Sequence, residues 1–272
     1  MRPLAPSLLL EGPPVRKLGQ NFLVDKAARD LIVDSADLSR SDTVLEVGPG
    51  TGFLTEALIA RAGKVIAVEK DPRLVSLLKR KHAGNGRLRI IEGDVLKARL
   101  PSFNKVVSCP PYYLSSRLVL LLISKRFRRA VLTLQKEFAE RLASKPGSPD
   151  YGRISVMVQH KSLVELAGMI SRHSFRPVPR VDSVVVVIRR KKPEVPVRSE
   201  RVFSDLVRFF FTQRRKKAAK VLRHYIETIS KDGQMKGQPL PSLPDVRVFQ
   251  LTVGDFERLS NEIANTWGER LE

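Results

Sequence analysis

Two short stretches hold the residues whose types and spacing bear on chemistry: EVGPGTG, residues 46–52, and SCPPYY, residues 108–113. In the first, Gly48, Gly50 and Gly52 follow a β-type run and open a helical one, so bare backbone can approach a ligand at the turn. The dinucleotide fingerprint Gly-x-Gly-x-x-Gly needs glycine at 53, where Phe53 stands. The spacing that remains is the shape used for S-adenosyl-L-methionine, which has no pyrophosphate to cradle. Glu69 ends the next apolar run, at the distance from the glycines where a carboxylate binds both ribose hydroxyls. Asp94 ends the third, in EGDVL, where it can accept from an adenine amino group. Either acid alone reads as a solvated strand-end carboxylate; three such signals in order point to a cofactor.

Cys109 is the only cysteine of the chain and stands before Pro-Pro-Tyr-Tyr. Many enzymes that methylate an amino group carry Asn or Asp in that setting, followed by Pro-Pro-Tyr or Leu-Pro-Tyr. Cys109 is therefore a nucleophile, a replacement or a filler. Methyl transfer to an amine needs no covalent enzyme intermediate, and no His or acid sits beside Cys109 in sequence. Replacement is the reading adopted, because a free Cys usually serves as a small apolar side chain. Tyr112 fits a stacking role, since a base must leave its helix or loop to reach the cofactor and aromatic faces hold it there.

These residues need elements that bring strand ends together. From Asp42 onward apolar β-type runs alternate with amphipathic helical ones, through TVLEV, FLTEALIARAG, KVIAVEKD, PRLVSLLKRKH, RLRIIEGD, NKVVSC, SSRLVLLLISK and RAVLTLQKE. The alternation predicts an α/β, Rossmann-like parallel sheet with helices on both faces. Two later β-rich runs, ISVMVQHKSLVELAGMIS and VDSVVVVIRR, predict an antiparallel hairpin that closes it. The charged, Pro-containing stretch RRKKPEVPVRSE reads as a linker. Beyond it SDLVRFFFTQRRKKAAKVLRHYIETI and VGDFERLSNEIANTW are helical by period. The expected organisation is a loose arm over 1–16, a catalytic domain over 17–190 and a small helical, RNA-recognising domain over 191–272.

Composition narrows the partner. Against 49 Lys+Arg stand only 28 Asp+Glu, a net charge of +21 that self-repels unless a polyanion is near. Balanced surface charge, as in thermophile proteins, would need more acids, so nucleic acid is the expected partner. A basic surface and Phe53 together speak against a nicotinamide-dependent oxidoreductase. The lone cysteine suits a reducing, cytoplasmic setting, and the scattered histidines predict no metal site. No run of eighteen apolar residues exists to cross a membrane. The sharpest basic cluster is Arg214, Arg215, Lys216 and Lys217, expected on a helix face; with Arg153 near the pocket entrance it is read as contacts to the backbone of folded RNA.

The motifs GQNFLVD, EVGPGTG, VEKD, EGDVL, KPGSPDYGRIS, FRPVPRVDS and QRRKK occur in order over nearly the whole chain after the arm. In them the chain resembles the small-subunit ribosomal RNA adenine N6,N6-dimethyltransferases, in an archaeal-type form. The resemblance implies S-adenosyl-L-methionine as cofactor, with Gln20, Asn21 and Leu23 over it, Gly48 and Gly50 beside its methionine part, Glu69 on the ribose and Asp94 near the adenine. It implies Phe175 as a second stacking face, small-subunit rRNA in a pre-ribosomal particle as substrate, and a monomer.

The family pattern over 106–116 is Val-Val-x-Asn-Leu-Pro-Tyr-x-Ile-Ser-Ser, so Cys109 stands where the family has Asn. In the family the Asn oxygen and a backbone carbonyl accept the two hydrogens of adenine N6 and free its lone pair for attack on the sulfonium methyl. Sulfur is a weak acceptor; the carbonyls of Cys109 and Pro110 persist. One lost hydrogen bond costs roughly 1–3 kcal/mol, about ten- to a hundred-fold in rate. Slowed catalysis is therefore expected, with an assembly factor of little or no turnover as the alternative.

Overall fold

The computed structural model describes residues 15, 18–229 and 240–267. The arm expected over 1–16 lies outside these residues, Val15 apart. In chain order the elements are β1 (Phe22–Leu23), α1 (Lys26–Ser35), β2 (Thr43–Val47), α2 (Phe53–Arg61), β3 (Lys64–Glu69), α3 (Pro72–Lys81), β4 (Leu88–Glu92), β5 (Lys105–Ser108) and α4 (Ser115–Ile123). There follow β6 (Arg129–Gln135), α5 (Lys136–Ala143), α6 (Arg153–Gln159), β7 (Ser162–Ile170), β8 (Phe175–Arg176), β9 (Ser183–Arg190), α7 (Glu200–Phe211), α8 (Ala218–Ile229) and α9 (Val253–Trp267).

The chain divides into two compact units, Met1–Ala139 with Val164–Arg190, and Glu140–Leu163 with Lys191–Glu272. The first holds a sheet ordered β4-β3-β2-β5-β6-β9-β7. Strands β2 to β6 run parallel, and β9 is antiparallel to β6 from Arg129↔Arg189 to Gln135↔Ser183. Covered on both faces, the central strands read as continuous apolar runs: Val44, Leu45, Val65, Ile66, Val106, Val107, Ala130 and Val131 are all buried. Strand order reverses between β2 and β5, and the carboxyl ends of these parallel strands open a crevice there.

A small ribbon holds the segment that faces this crevice. β1 pairs antiparallel with β8, setting Phe22 against Arg176 and Leu23 against Phe175. Asp25 caps α1 by accepting from the amides of Ala27 and Ala28, and the Ser174 hydroxyl donates to the other Asp25 oxygen at 2.9 Å.

The second unit has its own core, in which Phe203, Leu206 and Phe210 of α7, Val221, Leu222 and Tyr225 of α8, and Phe256 and Leu259 of α9 surround Tyr151 and Val156. Residues 140–163 therefore group with the C-terminal helices instead of the expected first domain. His160, buried, meets Glu257 at 2.6 Å from Nδ1 and lies over Phe203 with ring centroids 4.3 Å apart.

Two expected elements differ. The β-branched run ISVMVQ is helical, as α6, whereas the rest of the expected hairpin arm forms β7, which lies beside β9 in the sheet. As a helix it sends Ser155 Oγ to the Arg141 carbonyl at 2.6 Å and the Gln159 amide to the carbonyls of Leu142 and Ser144, satisfying the end of α5. Those partners outweigh a weak local preference for strand. The helix expected across FFFTQRRKKAAK breaks at 212–217, between α7 and α8. Lys217 there bridges to Arg247, while the amides of Val248 and Phe249 donate to the carbonyls of Lys216 and Arg214.

Candidate active site

The crevice at the carboxyl ends of β2, β3 and β5 is a cavity of about 810 Å³, open solvent at its mouth included. Its walls include Gln20, Asn21, Gly48, Gly50, Glu69, Asp94, Cys109, Pro110, Tyr112 and Phe175, residues drawn from six separate segments of the chain. Leu23 lines a smaller neighbouring space of about 340 Å³ with Glu46, Phe53 and Cys109; Asn21, Gly48 and Gly50 border both.

The glycine turn is built by backbone demands. Gly48 and Gly50 have φ of 68° and 61°, in the left-handed region that glycine enters without strain. A Cβ on Gly50 would lie 2.9 Å from the Phe22 ring, so the β1 segment can close on the turn only because that carbon is missing. Glu69 fixes the turn from the next strand: Oε2 accepts from Gly50 N at 3.2 Å, and Oε1 from the amides of Lys70 and Asp71 at 2.8 and 2.9 Å. Burial raises the Glu69 carboxyl, and these three amides oppose the shift. Asp94 is the contrasting acid: the Leu96 amide and then the Lys70 ammonium, 3.3 Å away, hold its carboxyl below the usual range.

Gln20 reaches across the cavity wall, its amide nitrogen donating to Asp71 at 2.8 Å and its oxygen accepting from Val15 N at 2.7 Å. Asn21 donates to the Gly19 carbonyl at 3.3 Å.

The Cys-Pro-Pro-Tyr-Tyr segment leaves β5 and turns through one 3-10 turn, Tyr112–Leu114, into α4. Cys109 packs against the core of the first unit and its thiol donates to Thr133 Oγ1 at 3.2 Å. Burial pushes this thiol up to about 12. A thiol held neutral by burial is a poor nucleophile, which speaks against one of the three roles considered for Cys109. Tyr112 Oη lies 2.7 Å from Ser183 Oγ, the first residue of β9. Phe175 is 2% exposed, at once a core residue beside Leu23 and a wall of the cavity.

Sequence reasoning passed over Glu46, Thr133 and Ser183. Glu46 is 1% exposed, its Oε2 has no hydrogen-bond partner among the described residues, and burial pushes its carboxyl up to about 8. An acid inside an apolar strand run, TVLEV, was the available signal. Thr133 and Ser183 carried none, because their partners lie 24 and 71 residues away.

The basic residues separate into two kinds. Arg153 is exposed at the start of α6, and Arg215, Lys216 and Lys217 are exposed in the turn before α8. Arg214 is engaged: it donates to the carbonyls of Pro149 and Tyr151 at 2.8 and 3.1 Å, with its guanidinium 5.5 Å from the Phe249 ring centre. Lys217 pairs with Asp245 at 2.8 Å.

Sheet order, glycine turn and strand-end acids together define a class I methyltransferase fold. Residues 15–265 match the family model described as "Ribosomal RNA adenine dimethylase". The "Probable ribosomal RNA small subunit methyltransferase A" of Thermococcus onnurineus is 46% identical over 249 residues, covering 89% of each chain. Its namesake in Methanothermobacter thermautotrophicus is 40% identical over 258 residues, covering 93% of this chain and 92% of the other. Among solved structures, a dimethyladenosine transferase from Plasmodium falciparum superposes with a TM-score of 0.74 at 29% identity, over 90% of this chain and 97% of that one. The 23S rRNA methyltransferase ErmE gives 0.66 at 28%, over 92% and 99%. The chain belongs to the ribosomal RNA adenine dimethylase family. It is an rRNA adenine methyltransferase whose cofactor is S-adenosyl-L-methionine, and the bare glycine turn beside the buried Glu69 fits that group. Among the described residues no helix is long and apolar enough to cross a membrane.

Proposed function

We propose that the protein places two methyl groups on N6 of each of two adjacent adenosines near the 3′ end of small-subunit rRNA. It would act in the cytoplasm, as a monomer, on a pre-ribosomal particle. The observation that carries the reading is the gathering of Glu69, Asp94, Cys109, Pro110, Tyr112 and Phe175 around one cavity. When bound, the cofactor supplies an electrophilic methyl group. Glu69 would hold the ribose and Asp94 would accept from the adenine amino group, with Gln20, Asn21 and Leu23 over the cofactor and Gly48 and Gly50 beside its methionine part. Tyr112 and Phe175 hold the substrate base between two faces. The backbone carbonyls of Cys109 and Pro110 accept the N6 hydrogens, so the nitrogen lone pair is released without a side-chain amide. Positioning supplies much of the acceleration in such a transfer. Arg153, Arg215 and Lys216, exposed cations of the second unit, contact phosphates, as does Lys217 beside Asp245; Arg214 supports that contact indirectly, by holding the turn on the Pro149 and Tyr151 carbonyls.

The test is methyl transfer from labelled cofactor to unmethylated small ribosomal subunits, followed by nucleoside analysis. N6,N6-dimethyladenosine at two neighbouring positions is the expected product. Binding of subunit and cofactor with no methylated nucleoside would instead leave a ribosome-assembly factor.

A further inference from the structure

Tyr113 has no part in the site so far. It adjoins Tyr112 on the 3-10 turn, where successive side chains diverge by about a third of a turn. Tyr112 sends its hydroxyl inward to Ser183, whereas Tyr113 is 49% exposed, among the most exposed of the large apolar side chains, and yet lines the cavity. One edge of its ring lies along Gly19: a Cβ there would be 3.1 Å from Tyr113 Cδ1, and Gly19 has a φ of 58°. The ring is thus seated on bare backbone at the rim, with much of its surface open. Arg117, four residues on, is exposed and forms no hydrogen bond or ion pair among the described residues.

We propose that Tyr113 is the stacking platform for the nucleotide next to the one whose base occupies the cavity. The turn then reads a dinucleotide, with Tyr112 on the reacting base and Tyr113 on its neighbour. This rests on the proposed function, in which each of two adjacent adenosines is in turn the neighbour of the other. Base–aromatic stacking tolerates any base, and a tyrosine already held against backbone loses little freedom on binding.

The test compares native protein with Tyr113→Leu, which keeps the apolar contact to Gly19 but removes the flat face, and Tyr113→Phe, which keeps the face. KM for unmethylated subunits and the Kd for S-adenosylhomocysteine are measured for each. Tyr113→Leu should raise the RNA KM about ten-fold, or ~1.4 kcal/mol, within the range of one base stack. Tyr113→Phe should stay near native, and the S-adenosylhomocysteine Kd should not move in either. A Leu variant with native RNA KM overturns the inference, as does one that loses cofactor affinity while its unfolding temperature is unchanged, since the ring then covers the cofactor. Native protein that yields no methylated adenosine would sink the proposed function itself, a result separate from any difference between variants.

Discussion

Cys109 Sγ donates to Thr133 Oγ1 across 3.2 Å, joining the end of β5 to the middle of β6 beneath the cavity. The thiol thus does at this position what a small polar side chain does, and spends its one proton on a neighbour. Because burial pushes it up to about 12, only about one molecule in ten thousand carries a thiolate at pH 8. Iodoacetamide at that pH should leave the native protein unmodified and add one label after unfolding, counted by mass. Labelling of native protein at the rate of a free thiol would contradict the assigned environment.

Cys109→Asn restores an amide oxygen where the family has one. Turnover should rise by about ten- to a hundred-fold, the worth of one hydrogen bond to the reacting amino group. Single-turnover rates measure it; an unchanged rate would mean that the backbone carbonyls suffice.

Ser183 lies 2.7 Å from the Tyr112 hydroxyl and orients its ring. Ser183→Ala and Tyr112→Phe should each lower kcat/KM by roughly two- to ten-fold, the range for one neutral hydrogen bond. The double variant should cost little more than either single one, because the same interaction is removed twice. Additive losses in that cycle would place the two residues in separate roles.

Glu46 gives the free protein a pH signature. Its carboxyl has an ordinary value of 4.5 and is pushed by burial up to about 8 in the folded chain. The folded state therefore holds a proton that the unfolded chain has released. The resulting stability is full below the ordinary value and is lost as pH rises toward 8, with a slope of at most ~1.4 kcal/mol per pH unit. Urea unfolding between pH 5 and 8 should show this decline in native protein and a flatter profile in Glu46→Gln.

In the second unit, neighbouring arginines should fail in different ways. Arg214→Ala removes donors to the Pro149 and Tyr151 carbonyls and should lower the unfolding temperature. Arg215→Ala, at an exposed side chain, should leave that temperature alone and reduce the salt slope of RNA binding by about one. Glu257→Ala removes the partner of His160 Nδ1 and the acceptor of Val195 N, and should destabilise by roughly 1–3 kcal/mol. Thermal unfolding and filter binding at several salt concentrations separate the three.

The cavity was legible in the sequence to the extent that a parallel sheet makes it so. In such a sheet each strand delivers its last residues to one edge, so Gly48, Glu69, Asp94 and Cys109, spaced along the chain at successive strand ends, had to converge. Apolar period and the glycine turn carry that much because they act locally. Phe175 was placed through resemblance, and the β1–β8 pairing shows how it comes to face the site. What only tertiary structure decided depends on partners distant in sequence. Ser183 and Thr133 became part of the site through β9 and β6, strands whose own patterns announce only burial. ISVMVQ folds as a helix because Ser155 and Gln159 find the carbonyls of α5, and the basic run at 214–217 turns because loop carbonyls and Arg247 meet it there. Local preferences of a few tenths of a kcal/mol per residue yield to such contacts, so a sequence read by period alone misplaces both.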